Sequence, residues 1–126
     1  MPKRILLVDD APQLLEAMEA VLTEAGYAVV GCDTPQDAVD LARETRPDLI
    51  VLDINMPGMN GWEVLEVLRL DPTTRRIPIV ISSADYNALQ QREAFLRSKG
   101  VELLYRPFDI EELFATVERL VGPARF

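Results

Sequence analysis

Five short, mainly apolar stretches recur along the chain at residues 5–8, 28–32, 49–52, 77–81 and 101–105. Each is too short for a typical helix and carries the unbroken or nearly unbroken apolar character of a strand buried on both faces. Between them the apolar residues return at helical spacing. Leu14, Leu15, Met18, Val21 and Leu22 form one stripe; Ala38, Leu41 and Ala42 a second; Trp62, Leu65 and Leu68, with Val64, a third. A weaker face (Leu89, Phe95, Leu96) predicts a less regular helix over about 87–98, and Leu113, Phe114, Val117, Leu120 and Val121 mark the last.

The punctuation agrees with that division. Pro12 suits a first helical turn, Gly26 stops the first helix, Thr34 and Pro35 start the second with Asp37 three residues after the cap, and Pro47 ends it. The third helix runs out near Asp71-Pro72, residues 73–76 read as a solvated polar loop, Gly100 breaks the fourth helix and Asp109 caps the fifth. Strands alternating with helices over short links predict an α/β fold, with five parallel strands flanked by five helices on both faces and joined by right-handed crossovers. The reading is one domain over residues 1–126, with 122–126 a frayed tail.

Composition narrows the chemistry. The chain of 126 residues has no histidine, which excludes Ser-His-Asp hydrolysis, imidazole metal sites and self-phosphorylation on imidazole. Its single cysteine, Cys32, cannot form an intramolecular disulfide; it reads as a small apolar residue at a strand end in a reducing compartment. A formal net charge of −8 argues against direct nucleic-acid binding, which demands basic stripes. No apolar run approaches the ~20 residues of a membrane span, and residues 1–5 lead straight into a strand without a signal core, so the chain reads as cytoplasmic.

The candidate chemistry lies where apolar runs give way to polar residues. Asp9-Asp10 follow the first strand, Asp53 closes the third, Ser83 follows the fourth and Arg106 the fifth. Open α/β sheets place their chemistry at the carboxyl ends of strands, so these groups are expected to share one rim. Asp53 has a plainer reading as a strand terminator or cap, and it is the other three segments that raise its standing. Crowded carboxylates repel unless a cation sits among them, and an oxygen-only donor set suits a hard ion such as Mg²⁺. Such a rim fits phosphoryl transfer, with Asp53 as carboxylate nucleophile, Arg106 and the ion offsetting phosphoryl charge, and Ser83 donating a hydrogen bond. Met56-Pro57-Gly58 marks a tight turn beyond Asp53, and Gly61 permits an approach that a Cβ would hinder.

These four segments, in this order, resemble the receiver domain of two-component response regulators over essentially the whole chain. The resemblance implies a flavodoxin-like (βα)5 fold with strand order 2-1-3-4-5. Residues 8–10 match the family's acidic pair, with Asp10 a direct Mg²⁺ ligand and Asp9 holding the ion through water. Residues 52–61 match the phosphoacceptor loop, with Asp53 the acceptor and the Asn55 carbonyl a metal ligand. Ser83-Ala84 match the switch hydroxyl and its small neighbour, and 106–108 fall where the family has Lys-Pro-Phe with a cis peptide before the proline. The implied partners are a histidine kinase or phosphotransfer protein as donor and a downstream effector protein; a phosphorylation-dependent dimer stays open. The chain would then be a phosphoacceptor with self-catalysed transfer and autodephosphorylation, not an enzyme in the usual sense.

Two positions depart from the family pattern. Arg106 stands in place of lysine, a bulkier planar group for a compact point charge, and its alternative role is simple pairing with Asp9, Asp10 or Asp53. Leu103 occupies the position of the switch aromatic; Tyr105, two residues on and on the same strand face, reads as an outward-facing packing or partner residue beside the last helix, or alternatively as a substitute for the missing aromatic. The Trp62 and Met56/Met59 group reads as packing, and Glu111-Glu112 as a solvated first turn. Two rival functions remain: a constitutive protein-binding pseudo-receiver whose acidic pocket is locked by Arg106, and a flavodoxin-like cofactor carrier or phosphatase. Against the last, the strand-end loops lack a Ser/Thr/Gly phosphate cradle and a second acid near Asp53.

Overall fold

The computed structural model describes residues 2–56 and 58–124. Five parallel strands, β1 (Arg4–Val8), β2 (Ala28–Cys32), β3 (Leu49–Asp53), β4 (Ile79–Ser83) and β5 (Val101–Tyr105), form one sheet in the order 2-1-3-4-5. Helices α1 (Pro12–Glu24), α2 (Ala38–Thr45), α3 (Gly61–Leu70), α4 (Tyr86–Ser98) and α5 (Ile110–Val121) cover it. An additional two-residue hairpin, Asn55–Met56 against Met59–Asn60, follows β3. The expected turn thus exists, although Pro57 itself lies outside the described residues, as do Arg125 and Phe126 of the predicted frayed tail.

Period-two alternation sorts the strand side chains onto two faces. On one face Leu6, Val8, Ile50, Leu52, Ile79, Ile81, Val101 and Leu103 pack with Ala38 and Ala42 of α2, Val64, Leu65 and Leu68 of α3, and Leu89 and Leu96 of α4. On the other, Ile5, Leu7, Leu49, Val51, Val80 and Leu104 meet Leu15, Met18 and Leu22 of α1 and Leu113 and Val117 of α5. All five residues of β3 and of β4 are buried, which explains the unbroken apolar runs of residues 49–52 and 79–81 within them. Among the described residues no helix is long and apolar enough to cross a membrane.

Local signals were realised unevenly. Asp109 caps α5 by accepting from the Glu112 N–H at 2.8 Å, and Asp85 does the same for α4 from Ala88 at 3.1 Å. Thr34 does not cap: its hydroxyl donates to Asp33, and a 3-10 turn over Pro35–Asp37 precedes α2. The α2 helix ends on Arg46, whose left-handed backbone (φ 46) turns the chain ahead of Pro47. Pro78 stands before β4 rather than within it, consistent with its missing donor, and the strand runs on through Ser83. Phe95, assigned to the inward face of α4, is 63% exposed with Lys99 Nζ 5.6 Å from its ring, because Leu89 and Leu96 already fill the contact with the sheet.

The loop over 73–76 is not a plain solvated link. Thr74 is fully buried, its hydroxyl donates to the Leu68 carbonyl at 2.7 Å, and its N–H bonds Asp71. Asp71 in turn accepts from both the N–H and the hydroxyl of Thr73, which, with Arg43, hold its carboxyl down at about 2. Thr74→Val keeps the shape but strands the Leu68 carbonyl, so urea unfolding is expected to show a loss of about 1–2 kcal/mol, against under about 0.5 kcal/mol for exposed Arg76→Ala. Equal losses would make the loop the solvated connection that its polarity suggests.

Candidate functional site

The predicted rim forms at the carboxyl ends of β1, β3, β4 and β5. Carboxylate oxygens of Asp9, Asp10 and Asp53 all lie within 4.8 Å of one another. The register explains this: β1 and β3 pair with Val8 beside Leu52, so the residues just beyond, Asp9 and Asp53, leave the sheet side by side. Asp9 is 1% exposed and accepts from the Ala11 N–H at 2.9 Å, which fixes the turn into α1. Asp10 is half-buried at the mouth.

Asp53 is 4% exposed, and burial, first of all, pushes its carboxyl up to about 6 from an ordinary 3.8. A hydrogen bond from the Asn55 N–H (3.0 Å) and the charge of Arg106 pull the other way, while Asp9 and Asp10 add to the rise. The local charge balance therefore leaves room for a cation. Three carboxylates with no nitrogen or sulfur donor among them are the donor set of a hard divalent ion such as Mg²⁺, so the residues present fit one.

Ser83, 1% exposed, accepts from the Asn55 side-chain amide at 2.8 Å and from the Asp85 N–H at 3.0 Å, leaving its own proton to donate. Asn55 thus links Asp53 to Ser83, by its backbone to one and its side chain to the other. The loop carrying Asn55 is pinned by Gly61, whose N–H bonds the Ile54 carbonyl at 3.3 Å and where a Cβ would lie 2.6 Å from Ile54 Cα. The close approach expected of this glycine is present.

Arg106 follows β5, its N–H bonded to the Ser83 carbonyl at 2.9 Å, and the peptide to Pro107 is cis. Its guanidinium pairs with Asp9, stands 3.9 Å from the Asp53 carboxylate and donates through Nε to Ser82 Oγ at 2.9 Å. Of the pairings open from sequence, Asp9 is the close one. Ser82 was passed over in the sequence. A signal existed: Asp53, Ser82 and Arg106 stand an even number of residues from Val51, Val80 and Leu104, which share one sheet face.

Leu103 is 9% exposed and packs into the core, so no aromatic ring stands at that position. Tyr105 shares its strand face, as expected, but sits against Tyr86 of α4 (centroids 4.9 Å apart), not beside α5. The cause is the layering, since α4 covers the face of Val101, Leu103 and Tyr105 while α5 covers that of Leu104. Met56 is buried, and Trp62 packs at the core edge under the Arg92 guanidinium, 4.3 Å from its ring, which supports packing over a cofactor role.

Residues 5–118 match the family described as response regulator receiver domain. The chain is 39% identical over 120 residues to the response regulator PleD of Caulobacter vibrioides, covering 95% of this chain and 26% of PleD. The chain thus spans about a quarter of that relative. It is 31% identical over 125 residues to the polar-differentiation response regulator DivK of Brucella anthropi, covering 98% of this chain and 100% of DivK. Among solved structures, the receiver domain of sensor histidine kinase PA1611 from Pseudomonas aeruginosa, which has a magnesium ion coordinated in its active-site cleft, superposes with a TM-score of 0.82 at 31% identity, covering 97% of this chain and 99% of that one. With the sheet order, the acidic rim and these relatives in agreement, the chain belongs to the response regulator receiver domain family of two-component signalling.

Proposed function

We propose that residues 1–126 act as one receiver unit that accepts a phosphoryl group on Asp53 from a histidine kinase or phosphotransfer protein and passes the signal to an effector protein by a change of binding surface. The observation that carries this reading is the meeting of three carboxylates within 4.8 Å, with a guanidinium 3.9 Å from the carboxylate at the end of the central strand. One Asp53 carboxylate oxygen attacks phosphorus and forms the new P–O bond. The bond to the leaving group breaks, and its electron pair departs on the donor imidazole nitrogen, which takes a proton from solvent, or on acetate when acetyl phosphate is the donor. The product is an acyl phosphate.

Asp10, Asp53 and the Asn55 carbonyl would hold Mg²⁺, with Asp9 acting through water. When bound, the ion supplies positive charge to the phosphoryl oxygens and to the crowded acids. Arg106 offsets charge on the transferring group, and the Ser83 proton is the donor for one of its oxygens. Once Asp53 carries the group, Ser83 and Asn55 rearrange around it. Leu103 gives the core no ring to swing, so the change is carried to the surface of α4 and β5, where Tyr105 lies.

Incubation with acetyl phosphate and Mg²⁺, followed by intact-mass measurement, is expected to show one added phosphoryl group on the wild type. Asp53→Ala and chelator-treated wild type are expected to show none. A wild type that gains nothing, or an Asp53→Ala variant that gains the same adduct, would contradict the assignment.

A further inference from the structure

Ser82 has no part in the chemistry described above, yet its placement is specific. It is the register partner of Asp53 across the β3–β4 ladder, is 1% exposed, and its Oγ accepts from Arg106 Nε at 2.9 Å. Arg106 enters from β5, and its side chain is 20% exposed. Its outer nitrogen reaches Asp9 and stands 3.9 Å from Asp53.

A guanidinium is a rigid plane, so fixing Nε fixes the direction of the whole fork. The ion pair with Asp9 alone would leave the plane free to pivot about that one contact. Two separate anchors in that plane, Ser82 at Nε and Asp9 at the outer nitrogen, remove that freedom and keep the charge 3.9 Å from the Asp53 carboxylate. Asp9 alone also has a competitor, because a divalent ion at the rim draws on the same carboxylate. The Ser82 hydroxyl is neutral and is not one of the three clustered acids, so its hold on Nε does not depend on the carboxylate that the ion draws on.

We infer that Ser82 is a positioning residue for phosphoryl transfer, acting through Arg106: it orients the guanidinium toward the transferring group without touching it. This rests on the phosphoacceptor reading of Asp53. In the step itself the P–O bond to Asp53 forms as the bond to acetate breaks, its electron pair leaving on acetate; Ser82 neither gains nor loses a proton.

The test combines a double-variant kinetic cycle with a spectroscopic signature. Uptake from acetyl phosphate with Mg²⁺ is timed for wild type, Ser82→Ala, Arg106→Lys and the double variant, and the Arg106 Nε–H is followed by NMR. Ser82→Ala is expected to slow uptake about tenfold at saturating donor and to lose the exchange-protected Nε–H signal. In the Arg106→Lys background, which has no Nε–H to hold, Ser82→Ala is expected to change the rate less than about twofold. Ser82→Thr, which keeps the acceptor, is expected to retain both the signal and most of the rate. An equal slowing in both backgrounds, or a lost signal with an unchanged rate, would overturn the role. Wild type that takes up no phosphoryl group sinks the phosphoacceptor reading, and this role with it, and is seen in the control before any variant is compared.

Discussion

In the absence of divalent ions, Asp53→Asn is expected to be more stable than the wild type at pH 7.5, by about 2 kcal/mol, and the gap is expected to close near pH 4. The reason is that burial holds the Asp53 carboxyl at about 6, above its ordinary 3.8. A carboxyl raised in this way favours the folded state fully below about 3.8 and loses that contribution as pH rises through about 6. At pH 7.5 the folded protein therefore carries a buried charge that the unfolded chain would solvate freely. Asparagine keeps an oxygen to accept the Asn55 N–H and removes the charge. The Arg106 attraction at 3.9 Å is already contained in that value of about 6, and the gain falls short of the full linkage value because the amide donates N–H where the protonated carboxyl would donate O–H.

Magnesium is expected to narrow that gap. An ion bound by the folded state alone stabilises it by mass action, so millimolar Mg²⁺ raises the wild type toward or past the variant while leaving Asp53→Asn nearly unmoved. Urea unfolding of both proteins at the two pH values, with chelator and with Mg²⁺, measures the gap under each condition. A variant that is less stable than wild type at pH 7.5 in chelator would mean that Arg106 more than offsets the burial of the charge.

The second large effect is expected at Gly61→Ala. The added Cβ would sit 2.6, 2.7 and 2.9 Å from the Cα, O and C of Ile54, all backbone atoms that no rotamer change can move. The loop carrying Asn55 must then shift, at a cost of about 3 kcal/mol, and the Asp53–Asn55–Ser83 linkage shifts with it. Gly100→Ala is the matched control. It has a left-handed backbone (φ 77) but open space around the new Cβ, so its cost is the backbone strain alone, about 1 kcal/mol. Equal costs in urea melts would remove the claim that contact with Ile54, rather than backbone freedom, fixes this position.

Elements whose burial pattern is written in single residues were legible. The fully buried β3 and β4 begin as unbroken apolar runs, and the α5 stripe with its Asp109 cap needed only local chemistry. The rim was legible for a related reason, since four polar interruptions at strand ends meet once the strands are parallel. What failed depended on neighbours distant in sequence. Thr74 looks like loop but is buried because the Leu68 carbonyl at the end of α3 needs a donor. Phe95 looks like core but is displaced by Leu89 and Leu96. Tyr105 was placed on the correct strand face and against the wrong helix, because alternation tells which side a residue is on and not what covers that side.

By itself the sequence determined the alternation of strands and helices, the two-sided burial of the sheet and the identity of the acids at its rim, because each follows from periodicity and residue chemistry within a few positions. Only the tertiary structure decided which way Arg106 points, that Ser82 anchors it, and that burial lifts the Asp53 carboxyl. Those are properties of distances between strands that the chain joins through whole helices, and no local pattern encodes a distance.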